Sequence, residues 1–199
     1  SGGAFAGGGS SFEEAVYVDT EGSFVPERYM QAVMRHLHIC RTFDATELYS
    51  SLKLLGSFLE SRPRVRVLVV DSIAFCFRSE LQENAPQRAR VLTDIAATLR
   101  AYGARRNLVV AVTNHMTTRF DRNAGDAGQG WLAPALGETW AHQPSTQVRF
   151  EKAARPDLPS RACLTKSMEQ AVGRSCPYYV VEAGLRDAPQ TCAGPGPPA

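Results

Sequence analysis

Val65-Arg66-Val67-Leu68-Val69-Val70-Asp71-Ser72 is a run of β-branched residues and leucine that ends in a carboxylate. Such a run is apolar on both faces of an extended chain, which suits a strand buried in a parallel sheet with helices on both sides. Asp71 then falls at the strand's carboxyl end, where open α/β sheets place their ligands. A carboxylate there has two readings. It holds magnesium directly or through water, the Walker B role, or it caps the next loop.

Two more strand-like runs flank this one. Ala15-Val16-Tyr17-Val18 ends in Asp19-Thr20-Glu21-Gly22, and Leu108-Val109-Val110-Ala111-Val112, read as buried, ends in Thr113-Asn114-His115. Helical patterns separate them. Pro26 opens a predicted helix over 27–38, with Met30, Val33, Met34 and Leu37 on one face. Asp44 and Glu47 have capping-box spacing ahead of the stripe Leu48, Leu52, Leu55, Leu59, and Pro63 closes that helix. Past Asp71 a polar loop over 78–87 leads to a helix over 87–102, with Leu92, Ile95, Ala96, Leu99 and Tyr102 on one side. Strands alternating with helices in right-handed crossovers give a parallel sheet.

Residues 117–131 have no periodicity and read as a long loop. Further on, short strands over 146–150, 161–165 and 178–182 alternate with Pro/Gly turns, as in antiparallel hairpins. The expected organisation is a flexible Gly/Ser lead-in over 1–14, one α/β core over 15–187, and a disordered Pro/Gly tail over 188–199.

The 199 residues suffice for one domain with a real core, and a hydrophobic share of 44% argues for a globular chain. No apolar run approaches the ~20 residues that span a bilayer, so no membrane partner is expected. The first residues lack the basic region and apolar stretch of a signal peptide. A net charge of +2 does not by itself argue nucleic-acid binding. Only three basic residues are lysines (Lys53, Lys152, Lys166); the arginine bias suits phosphate contacts or reflects codon composition. The cysteines are odd in number and without zinc spacing, which predicts reduced thiols.

Parallel strands bring Asp19 and Glu21, Asp71 and Ser72, and Asn114 and His115 to one edge. A carboxylate base, a metal-binding carboxylate and a polar phosphate sensor are the parts of a water-attacking phosphoryl-transfer site. Glu21 is the candidate base, Asp71 the candidate magnesium ligand and His115 the candidate sensor. A Walker A loop, G-x-x-x-x-G-K-[ST], is not in the sequence, since no lysine follows a glycine. ATP binding by this chain alone is therefore expected to be weak or undetectable.

Val16-Tyr17-Val18-Asp19-Thr20-Glu21-Gly22-Ser23-Phe24, followed by Pro26-Glu27-Arg28, resembles the segment after the Walker A helix in eukaryotic RecA-type recombinases. Leu68-Val69-Val70-Asp71-Ser72-Ile73-Ala74-Phe75 resembles their Walker B strand. Val112-Thr113-Asn114-His115-Met116-Thr117-Thr118 and Ala135-Leu136-Gly137-Glu138-Thr139-Trp140-Ala141-His142 resemble the entry to and exit from their second DNA-binding loop. The detailed forms are similar to the paralogue branch of that family, nearest the one lettered C. The resemblance covers about 15–187 and implies a RecA-like P-loop ATPase core. That core is a mainly parallel sheet flanked by helices, with an antiparallel C-terminal extension, here without the first strand and P-loop.

By that resemblance Glu21 is the catalytic glutamate, Asp71 the metal ligand, and Ser72, Asn114 and His115 belong to the nucleotide site. His115 replaces the family's usual Gln. The DNA loops fall at about 78–90 and 117–135, with Arg78, Arg119, Arg122 and Trp131 as DNA contacts. Lys166-Ser167 lies where the family often caps a neighbour's ATP. The family implies ATP and Mg2+, single-stranded DNA, other recombinase paralogues and the recombinase filament as partners, and a nuclear location. Trp140 reads as core, His36 and His38 as residues at a helix end. Three functional readings are open: the first two are a recombination ATPase subunit and a non-catalytic module that docks partners or DNA because Walker A is absent. An unrelated α/β enzyme is the third.

Overall fold

A computed structural model describes residues 13–26, 31–77, 84–120, 130–155, 157–181 and 184–187. It divides into two compact units that meet at Gln143 and Pro144. The first holds a parallel sheet built from β1 (Glu14–Asp19), β2 (Leu37–Arg41), β3 (Val65–Asp71) and β4 (Val109–Val112), in the order β2-β1-β3-β4. Short helix α1 (Gln31–Met34) precedes β2, α2 (Ala45–Ser61) precedes β3, and α3 (Ile73–Cys76) with α4 (Ala85–Arg106) precedes β4. The chain is thus of the α/β class, with the deciding stretch as a central strand.

Val16, Val18, Leu68 and Val70 pack with Leu48, Leu52, Leu55 and Leu59 of α2 and with Leu92, Ile95 and Leu99 of α4 in one core. Asp44 caps α2, its Oδ1 accepting the Glu47 N–H at 2.7 Å, and Glu47 reaches back to the Phe43 N–H at 2.9 Å. Asn84 caps α4 by accepting the Gln87 N–H at 3.1 Å, and Asn107 ends that helix in the left-handed region (φ 51°).

Several expectations need correction. Helices α2 and α4 share one core, whereas the opposite sheet face carries the row Ile39, Tyr17, Val69, Ala111 set by the register. Among the described residues β4 is an edge strand, and Val109 is 65% exposed and Ala111 exposed, so it is not a buried strand. The apolar face of the predicted helix over 27–38 does not run to its end: Leu37 and His38 belong to β2, because Leu37 pairs with Ala15 and His38 meets the Glu14 carboxylate. His36 lies in the turn between α1 and that strand, its N–H bonded to the Val33 carbonyl at 3.0 Å. The predicted start of that helix lies outside the described residues. The long loop over 117–131 is strand at both ends: β5 (Met116–Arg119) pairs antiparallel with β6 (Trp131–Pro134), and α5 (Gly137–Ala141) follows. Trp140 is core, at 5% exposure.

The second unit is the antiparallel sheet β10-β9-β8-β7, from β7 (Gln147–Glu151), β8 (Ser160–Lys166), β9 (Ser175–Val181) and β10 (Gly184–Asp187). The expected hairpins are present, with β10 as an additional strand.

Candidate functional site

The site lies at the carboxyl ends of β1, β3 and β4. Asp19 is buried and its Oδ1 accepts the N–H groups of Glu21, Gly22 and Ser23 at 3.2, 2.7 and 3.3 Å. That turn fixes the backbone at Glu21. Gly22 has φ +70°, the left-handed region that favours glycine; the Arg41 guanidinium reaches within 1.9 Å of where a Cβ would stand, but it is the end of a flexible side chain that can swing away. Thr20 ties the turn to β3: its Oγ1 accepts the Ser72 N–H and donates to the Ser72 carbonyl, both at 2.8 Å. The Asp71–Ser72 peptide is cis.

Three predicted residues meet directly. The Ser72 hydroxyl donates to Glu21 Oε1 at 2.5 Å, His115 Nε2 lies 2.5 Å from the same oxygen, and Ser72 Oγ is 3.1 Å from His115 Nε2. Glu21 and His115 keep only about a quarter of their side-chain surface exposed. Beside them Asp71 is held at both oxygens, Oδ1 by the Thr113 hydroxyl at 2.6 Å and Oδ2 by the Tyr17 phenol. Neither Tyr17 nor Thr113 was singled out as a site residue from the sequence. Asn114 stands next to this group with its side-chain oxygen buried and unpartnered.

The donor set suits magnesium held with help from a substrate. Each Asp71 oxygen accepts one hydrogen bond and retains a second lone pair, and the neighbouring ligands are oxygens, as a hard cation prefers. Among the described residues no cluster of three or more His, Cys, Asp or Glu could hold a metal by itself. The free acceptor on Asn114 suits a water or cation rather than a phosphate oxygen.

His115 is followed at once by β5, and the Ala135 N–H returns to its carbonyl at 2.8 Å. The β5–β6 hairpin is therefore anchored on the residue that touches Glu21. On the hairpin Arg119 stands directly opposite Trp131, which is 51% exposed. The Arg119 guanidinium lies over Gly137, 3.2 Å from where its Cβ would be. A cleft of about 330 Å³ opens beside His115, lined by Ala74, Phe77, Arg88, Met116 and Leu136. Arg88, one turn into α4, was not named as a site residue from the sequence; its only signal was its place within the span read as the first DNA loop, which α4 in fact enters from Ala85. Arg78 and Arg122 lie outside the described residues. Lys166 ends β8, and the Ser167 hydroxyl accepts the Glu169 and Gln170 N–H groups at 3.1 and 3.0 Å.

Comparison with known proteins agrees with this architecture. A family profile described as Rad51 matches residues 5–188. Among curated relatives, "DNA repair protein RAD51 homolog 3" of Cricetulus griseus is 30% identical over 211 aligned positions, covering 90% of this chain and 55% of the relative. The protein of the same name in Dictyostelium discoideum is 30% identical, covering 87% of this chain and 51% of the relative. "DNA repair protein XRCC3" of Mus musculus is 28% identical, with 89% and 60% covered. The chain spans about half the length of the first two. With the profile matching most of its residues and the strand ends in the arrangement described, the chain belongs to the Rad51 family.

Proposed function

We propose that this chain works in DNA repair by homologous recombination, in the nucleus, as a recombinase-paralogue subunit. It binds single-stranded DNA and ATP within a complex of paralogues and assists assembly of the recombinase filament. Residues 15–187 act as its working core. The observation that carries this reading is the contact of His115 with Glu21 at 2.5 Å, because His115 leads directly into the β5–β6 hairpin. A group that senses nucleotide at one end and holds a DNA-facing hairpin at the other couples the two ligands.

In the chemistry proposed, Glu21 orients the attacking water and takes its proton as the oxygen bonds to the terminal phosphorus. The bond from that phosphorus to the bridging oxygen breaks and leaves the diphosphate. Ser72 and His115 aim the Glu21 carboxylate, and Tyr17 and Thr113 hold that of Asp71. Magnesium, when bound through Asp71, would supply charge neutralisation of the phosphates. Arg119 contacts the strand's phosphates and Trp131 stacks on its bases, with Arg78 and Arg122 as further contacts.

A second reading is favoured by one observation: the 199 residues contain no G-x-x-x-x-G-K-[ST] loop. On its own the chain is then a non-catalytic module that docks DNA or partner subunits. A thermal-shift titration with magnesium-ATP separates the two, since ligand binding to the folded state raises the melting temperature. No shift at millimolar nucleotide supports the docking module. A shift abolished by Asp71→Ala supports nucleotide binding by these residues without a Walker lysine.

A further inference from the structure

The amino ends of the strands, opposite to Glu21, carry a different chemistry. Arg35 precedes β2, Arg62 and Arg64 lie between α2 and β3, Arg66 is in β3, and Arg105 and Arg106 end α4 ahead of β4. Parallel pairing sets these positions along one edge, about 14 Å wide at ~4.8 Å per strand spacing. Their ion-pair partners are Glu14, buried and within 2.6 Å of Arg64 and 3.7 Å of Arg62, Glu13 at 3.8 Å from Arg66, and Glu60 at 3.4 Å from Arg106. The hydrogen bond from His38 and the Arg64 guanidinium hold the Glu14 carboxyl below its ordinary range, so Glu14 is ionised at neutral pH.

Six arginines thus stand against three carboxylates. The carboxyl ends of α2 and α4 at this edge add only about −0.5 charge each, which leaves an excess of about two positive charges. Arg35 and Arg105 are exposed, and neither enters an ion pair among the described residues. Phe58, the aromatic ring here, is overlaid by Arg62 at 5.4 Å and met edge-on by His38 at 5.1 Å. The edge therefore offers charge and little apolar area. Protein interfaces are anchored by apolar cores, whereas a phosphate backbone is held by charge alone.

We propose that this edge is a second nucleic-acid surface, which takes the phosphate backbone of a single strand at the end of the sheet opposite the β5–β6 hairpin. Guanidinium forks bind phosphate bidentately and without regard to sequence. The identity of the ligand rests on the reading of the chain as a single-strand binder; the surface itself does not.

The test is fluorescence anisotropy of a labelled oligo-dT with the 199-residue chain across a salt series, with polyglutamate as a competing polyanion. Arg35→Glu/Arg105→Glu replaces two exposed positive charges, which make no ion pair among the described residues, with negative ones, and its melting temperature serves as the fold control. We expect at least tenfold weaker oligo-dT binding and a log–log salt slope lower by about 1.4, at ~0.7 per phosphate contact. Unchanged affinity and slope, preference for polyglutamate over oligo-dT, or no oligo-dT binding by the wild type at low salt would each overturn the proposal. A parallel Arg119→Ala/Trp131→Ala variant separates the two surfaces. Loss there with the edge variant intact leaves the hairpin reading standing and removes this one, and the converse result removes the hairpin reading.

Discussion

Glu14 opens β1 and Gly22 lies in the turn that follows it, and the two are constrained for different reasons. Glu14 is a buried carboxylate whose ionisation is favoured first by its hydrogen bond to His38 and then by Arg64. A carboxyl with a lowered folded pKa contributes stability that is present above its unfolded value, about 4.3, and lost as pH falls through the folded value. The wild type should therefore lose melting temperature more steeply below about pH 4.3 than Glu14→Gln does. Parallel acid limbs in a pH series of thermal melts would refute this. Gly22 is constrained by its backbone, because the Arg41 guanidinium end can swing away from an added Cβ, so Gly22→Ala at φ +70° should cost about 1–2 kcal/mol, close to Gly173→Ala at φ +85°, where no atom lies within 4 Å of the added Cβ. Denaturant melts of the two variants give the comparison. Legibility at this scale followed chain direction. Glu21, Ser72 and His115 were readable because parallel strands align their last residues. Tyr17 and Thr113 were not, because Tyr17 pairs with Val69 and reaches Asp71 only diagonally, a relation set by register.

Helices α2 and α4 show how side-chain chemistry fixes one element against another. The Asp94 carboxylate receives the Tyr49 phenol and the Lys53 ammonium, the latter at 3.1 Å, and Lys53 also lies over the Tyr49 ring at 5.1 Å. These contacts hold the Asp94 carboxyl below its ordinary range, while the Asp94 carboxylate pushes the Tyr49 phenol up. At the start of α2, Asp44→Ala removes a cap to the Glu47 N–H and should destabilise by about 0.5–2 kcal/mol, with Asp44→Asn restoring most of it. A denaturant midpoint unchanged by Asp44→Ala would mean that the first turn is held by packing alone. Element boundaries were legible where caps and apolar spacing agreed, as in α2. They failed between α1 and β2, where Leu37 satisfies a helical stripe and a strand equally well and only the pairing of Ala15 with Leu37 decides. The hairpin of β5 and β6 was illegible for a related reason. Its residues are exposed with few exceptions, so they carry no alternation of apolar and polar positions.

Across the whole first unit the sheet has two unlike faces and two unlike ends. One face is closed by α2 and α4, the other leaves Ile39 and Val109 open to solvent at 42% and 65% exposure. The same Val-rich strand composition signalled burial on both sides, because sequence reports what a face would tolerate and not what covers it. This asymmetry gives unequal costs to similar substitutions. Leu68→Ala opens a cavity in the closed core and should cost about 2–5 kcal/mol, whereas Val109→Thr on the open face should stay within about 0.5 kcal/mol. Strand β4 also ends the sheet among the described residues, and its outer edge presents backbone donors and acceptors beside apolar Val109. An edge of that kind pairs with other chains unless a charge interrupts it. Val109→Lys places an ammonium on that strand without touching the core cluster, so it should melt like the wild type yet remain monomeric at concentrations where the wild type associates. Sedimentation velocity over a concentration series reads both outcomes, and equal association of variant and wild type would show that contacts elsewhere on the molecule drive it.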